Sequence, residues 1–503
     1  MFGDVFGQTD SLSVSGSIEW VKELVETAWT TFKPGGTLHP QAFIEHKGHL
    51  VMEGLLLAVI TYLLLFNGQR KPKGRKEERP LTEKEVDELC AEWKPEPLAP
   101  ALTPTQQISR ELVITSASGS RVVVDGKSVV TFASADFVGL SALEHGQAIC
   151  AEAIDKYGVG ACGPRGFYGT IDVHLELEAE IAKFMGTEEA ILYSYDCATL
   201  PSIIPVFANA KDLIVCDEAV SYPVQNGCDL SRARVITFRH NDVEDLEAVL
   251  KRVAAEDRRL RRPLNRRFIL VEGIYANTGE VAPLDKIMPL KQKYKYRLIV
   301  DESLSLGVLG KNGRGATEHF GIGPGEAEII GASLGNAVAT IGGFCAGSHE
   351  IVDAQRLSGQ GYCFSASSPP YTARVTVEAL RELAERGPAL REELAAKVAL
   401  FRKLASAIPG VHVVGGPAAA ISPVVHLSLR GADGDPGQGD LVLEKLSQTL
   451  LDKDGILLPA SKYSCLEPKR QPPSLRALIT VHHSDKEIEA AIKALAQRVQ
   501  ELQ

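Results

Sequence analysis

Three segments carry residue types and spacings that could do chemistry. The first is YGVGACGPRGFYGT, Tyr157 to Thr170, with glycines at 158, 160, 163, 166 and 169. Such density lets a backbone approach a ligand or another chain closely, because absent Cβ atoms and accessible positive φ remove the steric barrier. It is not a Walker loop, since no G-K-[S/T] follows, and a flexible surface loop would share its composition. The second is the apolar run IVDES, which ends on Asp301, a carboxylate suited to a cationic ring nitrogen or to a helix cap. The third is SLGNAVATIGGFCAG, Ser333 to Gly347, small and glycine-rich after the apolar pair Ile329 and Ile330. Each is a weak signal alone; their order and spacing together are specific. The 9 cysteines contain no C-x-x-C pair and read as reduced thiols, with neither a disulfide frame nor a zinc site. Adjacent His482 and His483 point to opposite faces and read as structural, so no metal site is expected.

Holding three such segments together takes a large scaffold. The chain has 503 residues, which excludes a single small binding domain. Its 45% apolar and 23% charged residues exclude wholesale disorder and a multi-span membrane protein, and a net charge of −10 argues against nucleic acid as the main partner. The runs AILYS, LIVCD, FILVEG and RLIVDES alternate with helical stretches, as parallel strands covered on both faces require. Three of them end in an acid, Asp217, Glu272 and Asp301, at the edge where α/β sheets bind ligands. A large domain over 101–390 is expected to give way to a smaller α/β domain over 391–503, after a helical region broken by Gly387 and Pro388. New strands follow around Val411 to Val414 and Val424 to Leu429. A last helix carries a Ser484–Glu487 capping box and an apolar face of Ile488, Ile492, Leu495, Val499 and Leu502.

The N-terminal region departs from this pattern. Leu50 to Phe66 holds one charge, Glu53, and as a helix would reach about 25 Å. A single transmembrane helix over 48–67 is predicted, with a buried core helix as the alternative. Arg70, Lys71, Lys73, Arg75, Lys76 and Arg79 follow it, against Lys33 and Lys47 before it, which places the long C-terminal part in the cytosol; a phosphoinositide site is the other use of such a run. Within 1–47, Ser17 caps a helix whose Ile18, Val21, Val25, Ala28 and Phe32 share a face, suited to a membrane interface or to packing on protein. Residues 68–100, basic and then proline-rich, read as a linker.

The set GPRGFYGTIDVHLELE, VEGIYANTGEVAPL, IVDES with LGKNGRG close behind, and ATIGGFCAG resembles the α-oxoamine synthases, fold-type I enzymes that use pyridoxal 5'-phosphate (PLP). The likeness runs from about Phe132 to the C-terminus. RLSGQGYCFSASSPP, Arg356 to Pro370, with an N-terminal span, is similar to the long-chain-base subunit 1 group of the serine palmitoyltransferases. The resemblance implies an aspartate aminotransferase-like fold: a large domain on a mixed, mostly parallel sheet, then the smaller C-terminal α/β domain, with the one transmembrane helix before them. It also implies a heterodimer that condenses L-serine with palmitoyl-CoA to 3-oxosphinganine (3-ketodihydrosphingosine), CO2 and CoA, the first step of sphingolipid biosynthesis. Residence in the endoplasmic reticulum membrane, contact with membrane lipid, a small activating subunit and Orm-type regulators are further implications.

Departures from the family pattern carry as much information. At the Schiff-base lysine position stands Asn336, whose amide is not nucleophilic, and no lysine occurs between Lys311 and Lys397. The ring-stacking histidine aligns with Ser221 and a second histidine with Leu304, while Asp301 is retained. The implied role is a noncatalytic subunit, with PLP on the lysine of a catalytic subunit 2. Cys162, Gly163, Pro164, Arg165, Phe167 and Tyr168 are then expected to contact the partner's active site or the acyl chain, with Cys162 as a buried small thiol. Ser365, Ser367 and Ser368 match a segment that reaches across the dimer to the PLP phosphate. Arg476 matches the arginine that grips the substrate carboxylate and, in a chain without PLP, is expected to form an ion pair within the fold or at the interface. The alternatives are a membrane-tethered scaffold or regulatory pseudoenzyme that completes no active site, and an active PLP acyltransferase using another lysine.

Overall fold

The computed structural model describes residues 54, 56–61, 81–99, 101–260, 265–430, 436–463 and 470–502. Three short strands come first, β1 (Ile114–Ser118), β2 (Arg121–Val124) and β3 (Lys127–Thr131). A second group comprises β4 (Glu189–Tyr193), β5 (Leu213–Asp217), β6 (Arg234–Phe238), β7 (Arg267–Glu272), β8 (Arg297–Asp301), β9 (Ile329–Ser333) and β10 (Gly343–Gly347). These make one sheet in the order β4-β10-β9-β8-β7-β5-β6. Every pair is parallel except those of β10, which runs antiparallel to β4 and β9. The expected mixed, mostly parallel sheet is therefore present. Its strands β5, β8 and β9 are apolar and buried along almost their whole length, because helices cover both faces.

The helices that matter for the site are α1 (Gly146–Tyr157), α2 (Asp172–Met185), α3 (Asp196–Phe207), α4 (Tyr222–Ser231), α5 (Pro370–Ser406) and α6 (Asp485–Leu502). Helix α2 buries Val173, Leu177, Ile181 and Met185 on one stripe and stops at Gly186 in the left-handed region. The later strands are β11 (Val411–Val413), β12 (Val424–Leu429), β13 (Ile456–Leu457) and β14 (Leu475–Leu478). Strands β11, β12 and β14 form a small antiparallel sheet, whereas β13 pairs in parallel with β3, so the first strands of the fold join its C-terminal part.

Two expectations need correction here. Helix α5 runs unbroken for 37 residues through Gly387 and Pro388. The lost N–H of the proline is outweighed by packing: α5 lies against α1, α2 and α6, and buries Leu380 and Leu383 before the break point and Leu394, Val398 and Phe401 after it. In α6 the capping box forms, with Ser484 and Glu487 bonding each other's backbone N–H, but Leu502 lies exposed beyond the buried Ile488, Ile492, Leu495 and Val499.

Pro100–Gln503 is one unit, and the described residues before it belong to another. Most of the 1–47 helix, the 48–67 span and the basic run lies outside the described residues, although 54 and 56–61 are helical. Among the described residues no helix is long and apolar enough to cross a membrane. Residues 81–99 of the linker contain a helix, Glu83–Glu92, closed by a Thr82–Glu85 capping box that sequence reading passed over.

Candidate functional site

The three acids at the carboxyl edge of the large sheet are all consumed internally. Asp217 accepts from the backbone N–H of Ala219 at 2.8 Å and of Asn241 at 2.9 Å, and meets His240 Nδ1 at 2.9 Å. His240 is held from its other side by Glu280 at 2.9 Å. Burial works against its charge, but the two carboxylates outweigh it and hold its pKa up at about 9. Glu272 accepts from the N–H of Ser221 at 2.5 Å and of Ala276 at 3.0 Å. Burial, helped by its ladder neighbour Asp301, pushes Glu272 up to about 8. Asp301 takes both the N–H and the hydroxyl of Ser303 on one oxygen, at 2.9 and 2.5 Å, while burial pushes it up to about 6.

Asn336 closes this network. It stands in the turn between β9 and β10, and its Nδ2 donates to the carbonyl of Ser303 at 2.8 Å. Asp301, Ser303 and Asn336 are thereby brought together, as a hydrogen-bonded chain of structural contacts. Ser221 caps nothing with its side chain at the start of α4, and Leu304 packs against the apolar core. PLP does not fit here: the position facing Ser303 offers an amide in place of an amine, no ring stands at the stacking position, and Asp301 is already engaged.

The glycine-rich loop behaves differently. Arg165 does not project from it; the guanidinium is buried and makes a bidentate pair with Glu178 of α2 at 2.8 and 2.9 Å, with Nε donating to Thr170 at 3.0 Å. Glu178 also accepts the N–H of Leu192 in β4 at 2.9 Å, so the pair fastens the loop to the sheet. Gly169 lies against the carbonyl of Gly163, where any Cβ would collide. Out of this fastened base stand Phe167 and Tyr168, 67% and 103% exposed, with Tyr168 at φ +67°. Cys162 is exposed at φ +58°, which corrects the expectation of a buried thiol.

The serine segment joins the same base. Ser367 donates its N–H at 2.9 Å and its hydroxyl at 3.1 Å to the carbonyl of Gly163. Ser368 is buried with no partner for its hydroxyl among the described residues, and its carbonyl accepts from His174 Nε2 at 2.8 Å. Burial lowers the pKa of His174, and its Nδ1 accepts from Ile171 N at 3.1 Å, which fixes the proton on Nε2. Ser365 stands apart, donating back to Gly361 at 2.5 Å. Sequence reading missed His174 and Glu178; their signal was one histidine and one acid four apart on the helix that follows the loop.

Arg476 belongs to neither group. It pairs in register with His426 across β14 and β12, burial lowers its pKa, and among the described residues it makes no ion pair within the fold, which leaves the interface as the place for one. His426, pushed down to about 4 by burial, bonds the carbonyl of Ala276 at 3.0 Å. His482 and His483 are structural, as expected: one meets Asp136 at 3.0 Å, the other bonds the carbonyl of Thr131 at 2.9 Å and stacks on Phe132.

The family model described as Aminotransferase class I and II matches residues 127–495. Long chain base biosynthesis protein 1b of Oryza sativa subsp. japonica is 45% identical over 445 residues, covering 88% of this chain and 90% of that protein. Serine palmitoyltransferase 1 of Dictyostelium discoideum is 40% identical over 454 residues, covering 89% and 93%. Among solved structures, a serine palmitoyltransferase variant from S. paucimobilis with bound PLP and myriocin superposes with a TM-score of 0.70 at 25% identity, covering 78% of this chain and 93% of that one. The chain belongs to the aminotransferase class I and II family and, within it, to the group of long chain base biosynthesis protein 1 and serine palmitoyltransferase 1.

Proposed function

We propose that this chain is the noncatalytic subunit of a heterodimeric serine palmitoyltransferase, which condenses L-serine with palmitoyl-CoA to 3-oxosphinganine, CO2 and CoA at the start of sphingolipid biosynthesis. The observation that carries the reading is Asn336, an amide tied to the Ser303 carbonyl where a lysine would have to stand. The lysine-bound PLP then belongs to a related catalytic subunit. Phe167 and Tyr168 are the groups this chain offers to that subunit, since they are the exposed aromatics on an otherwise fastened loop. The segment of Ser365, Ser367 and Ser368, of which Ser367 is joined to the loop base, is the part of this chain proposed to approach the partner's PLP phosphate.

The apolar run before the basic cluster supports a single-pass anchor with the large C-terminal part in the cytosol, and family likeness supports the endoplasmic reticulum membrane, a small activating subunit and Orm-type regulators. Membrane attachment suits an amphipathic acyl donor and product. The test is reconstitution of the full chain with its partner. Turnover of serine and palmitoyl-CoA should require both chains, and Tyr168→Ala should lower turnover while this chain stays folded. Turnover by this chain alone would refute the assignment, and full turnover with Tyr168→Ala would favour a tether that completes no site.

A further inference from the structure

Gly335, the residue before Asn336, lies against a charged side chain, Asp196. Helix α3 begins at Asp196, in its first turn, and the preceding residue Tyr195 supplies no side-chain cap. Unpaired N–H groups and the macrodipole make the start of a helix the seat of an anion, above all of a phosphate. Here the seat holds an anion of the chain's own. Asp196 Oδ1 accepts from the N–H of Gly342 at 2.6 Å, and the carboxylate also takes a hydrogen bond from the Ser333 side chain. Ser333 in turn accepts the N–H of Gly335 at 2.9 Å. Gly335, the residue just before Asn336, is pressed so closely on Asp196 Oδ2 that a side chain there would collide. The carboxylate is thus built into the turn that carries the former lysine position.

We infer that Asp196 is a specificity-determining residue that excludes a phosphate-bearing cofactor from this chain's half of the dimer, so that loading is confined to the partner. The inference rests on the reading above that PLP belongs to the partner, and adds that loss of the lysine is only part of the reason. A phosphate dianion entering at the start of α3 would meet the Asp196 carboxyl, whose pKa burial raises, in its place and find the Gly342 N–H and Ser333 side chain already taken. Asn336→Lys alone would therefore restore an amine without restoring a place for the phosphate.

The experiment uses the full chain without its partner, in five forms: unaltered, Asp196→Ser, Asp196→Glu, Asn336→Lys, and the double variant of Asp196→Ser with Asn336→Lys. Thermal melts with and without inorganic phosphate come first. Asp196→Ser should gain a phosphate-dependent rise in Tm that the unaltered chain and Asp196→Glu lack. PLP is then added, borohydride fixes any adduct, and peptides are mapped. The peptide bearing Asn336→Lys should be labelled more than about tenfold better when Asp196→Ser is also present. Equal labelling of the single and double variants, or a folded Asp196→Ser chain that gains nothing from phosphate, would overturn the inference. The melts decide the matter if the double variant does not fold. Specific labelling of a native lysine in the unaltered chain would refute the proposed function instead, so the two failures are distinguishable.

Discussion

The carboxyl edge of the large sheet and the glycine-rich loop are both rich in groups that could act on a ligand, and the fold treats them in opposite ways. At the sheet edge, Asp217, Glu272, Asp301 and Asn336 all point their hydrogen-bonding capacity back into the chain. In the loop, the polar residue Arg165 turns inward and two aromatic side chains are left outside. A site that has stopped holding a ligand keeps its buried polar groups only if they find new partners, because an unpaired buried group is costly. A surface made to meet another chain does the reverse, leaving apolar groups uncovered on a rigid base. On the proposed function, the difference between the regions is that between a site turned in on itself and a surface left for a partner.

The sharpest way to break this contrast is at the base of the loop. Glu178→Ala leaves the Arg165 guanidinium buried and unpaired and removes the acceptor for Leu192 N–H, so the chain should lose about 3–5 kcal/mol in urea unfolding. An unfolding curve that does not move would mean the loop is not fastened as described. At the sheet edge, His240→Gln should cost on the order of 3 kcal/mol near neutral pH, from a folded pKa of about 9 against about 6.5 unfolded. Because the folded value is raised, this stabilisation is complete below about pH 6.5 and disappears as pH rises through about 9. The gap between the two proteins should therefore close in alkaline unfolding curves.

Two smaller effects sharpen the comparison. Tyr168→Ala should leave the stability of the isolated chain within about 0.5 kcal/mol, since the side chain is wholly exposed, yet weaken association or turnover with the partner by about 2 kcal/mol. A titration of the partner measured beside a thermal melt separates the two. Asn336→Ala removes one hydrogen bond and should cost about 1 kcal/mol of stability with turnover of the complex unchanged. A large loss of turnover would mean the sheet edge is still in use.

Much of the scaffold was legible in the sequence. LIVCD, FILVEG and RLIVDES announce parallel strands because burial on both faces demands unbroken apolar runs, and they became β5, β7 and β8. Asn336 was equally plain, since a missing amine is a matter of residue type. Direction was not legible. Nothing in GPRGFYGT says that Arg165 faces inward and Tyr168 outward; that follows from Glu178, 13 residues away in sequence, reaching back from α2. Nor did local rules foresee α5 passing through Gly387 and Pro388, where packing on both sides of the proline prevails over its lost hydrogen bond. Asp196 escaped notice because an acid in the first turn of a helix is ordinary; only its contact with Gly342 and Gly335 makes it informative.

The most direct test of the central claim is to reduce the active two-chain complex with borohydride in the presence of PLP and identify the labelled lysine by peptide mapping. All specific label should fall on the partner, with this chain carrying none. A stoichiometric label on any lysine of this chain would contradict the account.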